Sequence, residues 1–145
     1  MSQVSQLMTE ARRRGELSPL LTAIPYARFL GLTASLEGTS VVCRLTYAEH
    51  LIGNPALPAL HGGTVGALLE SAAIFQLLWS QESKGVPKII TLTVDYLRSA
   101  RPMDTLARAQ VTRQGRRVAS VRAIAWQEDE EKPVATANAH FLLSS

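Results

Sequence analysis

Glu70 stands in the most apolar stretch of the chain, GGTVGALLESAAIFQLLWSQE, with Ala67, Leu68, Leu69, Ala72, Ala73 and Ile74 around it. A carboxylate left unpaired in such surroundings costs on the order of several kcal/mol unless it finds partners or serves a purpose. Gly62 and Gly63 open the same stretch. Two glycines at a helix start let a ligand approach the backbone, where first-turn N–H groups are unpaired and carry partial positive charge. Gly63 and Glu70 are two helical turns apart, with Gly66 between them, so they share a side. Helical side chains lean toward the N-terminus, which aims Glu70 back over Gly66 toward the glycine pair. A carboxylate facing a site for an oxyanion, with no metal ligands beside it, suits acyl transfer to water. The plainer alternative is a solvated or salt-bridged helix residue, and the residues alone leave both readings open.

The elements that must position these groups follow from periodicity. The glycine-led stretch from Gly62 to about Glu82 is apolar on nearly every side and too long for a strand, which predicts a helix buried almost all round. Residues 3–14 and 16–24 read as two short helices, with Pro25 ending the second. Residues 31–37 and 40–47 read as strands around Gly38 and Thr39, and LIGNPALPAL as a loop. Strands follow at 88–98, 104–113, 116–127 and 133–143, in the spacing of an antiparallel meander. Every second residue gives Ala107 and Ala109, then Ala119, Ala123 and Ala125, then Ala135, Ala137 and Ala139. Alternation puts each set on one face, so an alanine-lined sheet lets the long helix approach closely. The expected class is α+β, a curved antiparallel sheet around one helix.

Composition narrows the function. The chain has 145 residues, 46% hydrophobic and 19% charged, which fits one globular core. No apolar run approaches a membrane span, and the N-terminus lacks the apolar stretch of a signal peptide. Cys43 is alone and sits in a strand pattern, so it reads as a small buried hydrophobe, and a reducing cytoplasm fits. The net charge of +3 is mild. Arg12, Arg13 and Arg14 read as a solvated face, and no basic segment interleaved with aromatics argues for nucleic acid. Phosphates of a small ligand explain Arg98, Arg101, Arg113, Arg116 and Arg117 better. His50 and His140 lack partners at metal-ligand spacing, so no metal is expected.

The segment from His61 to Glu70 resembles the His-Gly-Gly motif of hotdog-fold acyl-CoA thioesterases, in particular the phenylacetyl-CoA thioesterase-like (PaaI-like) subfamily. His61 and Glu70 have that family's spacing, and the similarity extends through the strand 93–98, the run Arg101, Pro102, Met103, Asp104, and Gly115, Arg116, Arg117. It spans residues 26–143 in order, leaving 1–25 as a helical extension and 26–145 as the thioesterase domain. The resemblance implies a hotdog fold and hydrolysis of a small or medium acyl- or aryl-CoA. Glu70 would be general base or nucleophile, and the Gly63 N–H would polarise the thioester carbonyl. Asn54 would orient water or substrate, and His61 would hold the loop and act near the thioester. Arg98 and the turn of Gly115, Arg116 and Arg117 would meet the CoA phosphates. No cofactor is implied, since coenzyme A belongs to the substrate. The site would lie between the subunits of a homodimer, often paired into a homotetramer.

The chain departs from the family pattern at two places. Asn54 stands seven residues before His61, one more than is usual, with Pro55 and Pro58 between. Where some relatives carry a water-positioning Ser or Thr, this strand has Ile89 and Ile90, with Thr91 and Thr93 close by. Phe75, Trp79, Tyr96 and Leu97 are candidates either for an acyl pocket or for core. Two other functions fit the same fold: an enoyl-CoA hydratase or dehydratase using His61, and a non-catalytic acyl-CoA-binding protein.

Overall fold

The computed structural model describes residues 3–80 and 85–143. Three short helices lead the chain: α1 (Gln3–Arg14), α2 (Ser18–Ala23) and α3 (Pro25–Leu30). The third was not expected. Pro25 does not end a helix; it opens one, at the first helical position where its missing N–H costs nothing. Gly31 then stops α3 in the left-handed conformation, φ 74°, which a residue without Cβ adopts freely.

The strands β1 (Leu32–Glu37) and β2 (Ser40–Leu45) form the expected hairpin. The loop read from LIGNPALPAL contains two short paired strands, β3 (Ile52–Asn54) and β4 (Ala59–Leu60). Helix α4 follows over Gly62–Ser80, and the expected end near Glu82 lies outside the described residues. Then come β5 (Lys88–Tyr96), β6 (Thr105–Gln114), β7 (Val118–Trp126) and β8 (Ala135–Leu142).

The main sheet has six antiparallel strands in the order β1-β2-β6-β7-β8-β5. Only β6, β7 and β8 form the predicted meander. β5 leaves to the far edge beside β8, and β6 returns to pair with β2. The alanine faces are where alternation puts them: Ala107, Ala119, Ala123, Ala125, Ala135, Ala137 and Ala139 are buried, and α4 packs mainly on β6, β2 and β7. This is the hotdog arrangement, one helix wrapped by an antiparallel sheet.

Both ends of α4 are tied down. The Arg12 guanidinium donates to the oxygens of Leu78 and Trp79 at 3.1 Å and lies 5.3 Å over the Trp79 ring. The reading of Arg12 as a merely solvated charge is therefore corrected. Arg13 and Arg14 do stay at the surface, both paired with Glu10. The helix is also not buried all round. Gly63, Ala67, Glu70, Ser71 and Ile74 form a stripe that remains partly open, at the spacing of one helix face.

Candidate active site

The entry to α4 is fixed from three directions. The His61 N–H donates to the Leu51 oxygen at 2.8 Å, and Thr64 Oγ1 donates to the His61 oxygen at 2.6 Å. From β5, Tyr96 Oη donates to the Gly62 oxygen at 2.7 Å, and its ring covers the first turn. A Cβ on Gly62 would meet that ring at 3.3 Å. From β3, Gly53 presses on His61 so closely that a Cβ there would lie 2.6 Å from the His61 Cα.

His61 in turn settles which backbone donor is free. Its Nδ1 accepts the Gly63 N–H at 2.8 Å, which leaves Nε2 as the ring's donor. The Gly62 N–H has no hydrogen-bond partner among the described residues. The donor left open at the helix start is thus one residue earlier than the sequence reading placed it. A neighbouring histidine that can fold back onto the N–H two residues on was the available signal.

Glu70 lies half-buried on the open stripe that also carries Gly63, with no hydrogen-bond or ion-pair partner among the described residues. Burial pushes its pKa above the usual carboxylate range, because removing water penalises the charged form. The carboxylate is therefore neither locked in a salt bridge nor fully hydrated. Asn54 sits beside Gly53 in β3, but its Oδ1 accepts the Ala56 N–H at 3.0 Å and closes a local turn.

The remaining candidates separate by place. Arg98 and Tyr96 line a cleft of about 390 Å³ together with Gly62, Val65 and Ala100, at the helix start. Gly115, Arg116 and Arg117 lie in the β6–β7 turn, at the sheet end where Val118 pairs with Leu142 and Leu142 with Lys88. Tyr96 is at the opposite end of β5. A nine-residue strand spans roughly 25–30 Å, so one subunit does not bring the two arginine groups together. Thr91 pairs with His140 on the face away from α4, their side chains 2.8 Å apart. Phe75 is buried in the core, while Tyr96 and Leu97 are exposed. His50 contacts the Phe29 oxygen at 3.0 Å, and no group of three or more metal-ligating side chains occurs among the described residues. Cys43 is buried, its thiol pushed up to about 12 by lack of water, so it is inert. Among the described residues no helix is long and apolar enough to cross a membrane.

Comparison with known proteins agrees with this architecture. A protein of Chromobacterium violaceum is 38% identical, with 97% of this chain and 98% of that chain covered and a TM-score of 0.79. A phenylacetic acid degradation-related protein of Ralstonia eutropha is 25% identical, covering 86% of this chain and 97% of that one, TM-score 0.74. The BH2602 protein of Bacillus halodurans, solved with CoA, shares the fold at 16% identity, TM-score 0.74, with 98% and 91% covered. No protein of curated function matches the chain. The family model of the thioesterase superfamily matches residues 57–134, which include His61, both glycines, Glu70 and the strands over them. The chain belongs to the thioesterase superfamily.

Proposed function

We propose that the protein hydrolyses a small or medium acyl- or aryl-CoA to the free acid and CoA, with Glu70 as the reacting carboxylate. The observation that carries this is Glu70 itself, half-buried, without a partner among the described residues, and on the helix face that leads back to the Gly62 N–H. In this reading the thioester carbonyl oxygen accepts the Gly62 N–H, aided by the positive end of α4. The Gly63 N–H joins it when the His61 ring is displaced. Glu70 then acts as general base on water or as nucleophile. In either route the C–S bond breaks, the thiolate leaves, and the elements of water end up on the acid and the thiol. His61 and Asn54 shape the loop over the reacting carbonyl, Asn54 through the turn beside Gly53.

The site is proposed to be shared by two copies. Strand β5 is an edge with a long unpaired side, and Ile90, Tyr96 and Leu97 are more than half exposed on or just after it. Unpaired edges of this length are normally covered. Antiparallel pairing of two β5 edges would put the 115–117 turn of the second copy at the sheet end that carries Arg98. The two arginine groups, far apart in one subunit, could then hold the phosphates of one CoA. Light scattering that finds an active monomer would refute this assembly.

Glu70→Gln keeps shape and hydrogen-bonding capacity but removes the basic oxygen. Its kcat for acyl-CoA hydrolysis, followed by thiol release, should fall by at least ~10²-fold, the scale of a positioned base. Acyl-CoA binding should survive. Hydrolysis at the parental rate would sink the mechanism.

A further inference from the structure

Gln76 is a buried polar residue in α4 that the proposed reaction does not use. Two of its three hydrogen bonds hold the turn of the β1–β2 hairpin. Its Oε1 accepts the Val41 N–H at 2.8 Å, and its Nε2 donates to the Thr39 oxygen at 3.1 Å and to Ser80 Oγ at 2.7 Å. Val41 needs that acceptor because its strand has lost its neighbour. β2 pairs with β6 only from Val42 with Arg108 to Leu45 with Thr105, whereas β6 runs on to Gln114. Beyond Arg108 the hairpin turn diverges from β6, and a helix side chain replaces the missing ladder.

The divergence opens a cleft of about 440 Å³ between the hairpin turn and β6. That volume is within the roughly 300–1,000 Å³ of small-molecule sites. It lies at the Ser80 end of α4, about 27 Å of helix from the glycine start, so it is not the candidate active site. Gln76 and Ser80 form part of its wall, Ala109, Val111 and Ile124 give it apolar surface, and Arg122 stands in its lining. No carboxylate lines it among the described residues. Arg108, also in the wall, is already neutralised by Glu37 and Glu130 at 2.9 and 3.1 Å. Arg122 has no hydrogen-bond or ion-pair partner among the described residues.

We propose that this cleft is a second ligand site, for a small organic monocarboxylate whose anion meets Arg122 and whose apolar body lies on Ile124, two residues on along the same face of β7. A guanidinium binds a carboxylate through parallel N–H bonds, and the aliphatic wall supplies the rest of the affinity. The proposal does not depend on the thioesterase reading, because nothing in the cleft belongs to the catalytic machinery.

The probe is sodium benzoate, titrated into the full-length protein and followed by backbone amide NMR shifts. Saturable shifts are expected at Thr39, Ser40, Gln110 and Arg122. Arg122→Gln should weaken binding ten- to a hundredfold, the loss of a charge-assisted pair. Gln110→Trp, at an exposed position of the lining, should block the cleft, and neutral benzamide should not saturate it. Both variants should keep the parental rate of acyl-CoA hydrolysis. Absence of saturable shifts, shifts confined to residues 62–70, or equal affinity in Arg122→Gln would each overturn the proposal.

Discussion

Gly53→Ala adds a single methyl group at the point where the candidate site is most tightly packed. That carbon would sit 2.6 Å from the His61 Cα and 2.8 Å from its Cβ. Carbon atoms rest at about 3.5–4.0 Å, so close to 1 Å of movement is required. Neither obstructing atom is the tip of a flexible side chain, and the His61 N–H is bound to the Leu51 oxygen at 2.8 Å. The strand and the helix entry must therefore separate. Overpacking of this kind costs about 1–3 kcal/mol, which for a chain of this length lowers Tm by roughly 2–12 °C. The activity loss should be the larger effect. His61 carries Gly62 with it, and about 1 Å of misplacement can cost ~10²-fold in rate. Thermal unfolding and thiol release from acyl-CoA measure the two. Gly66→Ala gives the opposite sign in stability: its Cβ would meet nothing nearer than 3.6 Å, and alanine favours a helix interior over glycine by about 0.5–1 kcal/mol. A Gly53→Ala variant with parental Tm and parental rate would show that the β3–His61 contact does not position the site.

Glu70→Gln should also change the pH dependence of stability. Burial raises the folded-state pKa of Glu70, so the stability linked to its neutral form is present at low pH and lost as pH rises through that value. The variant should match the parent near about pH 4 and equal or exceed it at about pH 8; greater loss at the higher pH would reveal an ion-pair partner. Gln76→Leu leaves the buried Val41 N–H without an acceptor and should cost about 1–3 kcal/mol, seen as a lower urea midpoint. An unchanged midpoint would mean the hairpin does not depend on that bond. Replacing Arg98, Arg116 or Arg117 by Ala should raise KM for acyl-CoA about ten- to a hundredfold but spare a truncated thioester lacking the nucleotide. Equal losses on both substrates would make the arginines structural.

Alternation and helical spacing reached the parts of this fold that depend on local pattern. The alanine faces of β6, β7 and β8 and the apolar run of α4 define each other, and both stand as expected. The position of β5 did not follow from proximity in sequence, since its strand partner is β8, some forty residues on. A signal was nevertheless present. β5 has no alanine row, and its Leu92 and Val94 point to the concave side at an edge that α4 scarcely covers. Contacts between distant segments were not legible at all. Nothing around Arg12 announces a helix carbonyl 66 residues away, and Gly53, in a run of Asn and Pro, reads as turn chemistry rather than as clearance for His61. Pro25 was ambiguous for a physical reason: the same fixed φ that interrupts a helix interior suits a helix start.

The two ends of α4 divide the labour of the molecule. Toward Ser80 the helix is fastened to other elements: Arg12 binds the carbonyls of Leu78 and Trp79, and Gln76 binds the backbone of the hairpin turn. Toward Gly62 the backbone is held from outside by Tyr96, Leu51 and Gly53, while its own N–H at Gly62 has no partner among the described residues. A binding donor works best when its position is set by groups other than the ligand, since no ordering then remains to be done on binding. The alanine floor serves the same end. It seats the helix close to a rigid sheet, so Glu70 is placed by packing rather than by a salt bridge that would consume its charge. A partnered Glu70 would be more stable and less basic toward substrate. The half-open stripe of Gly63, Ala67 and Glu70 thus leaves the carboxylate without a protein partner among the described residues, reachable from the helix start.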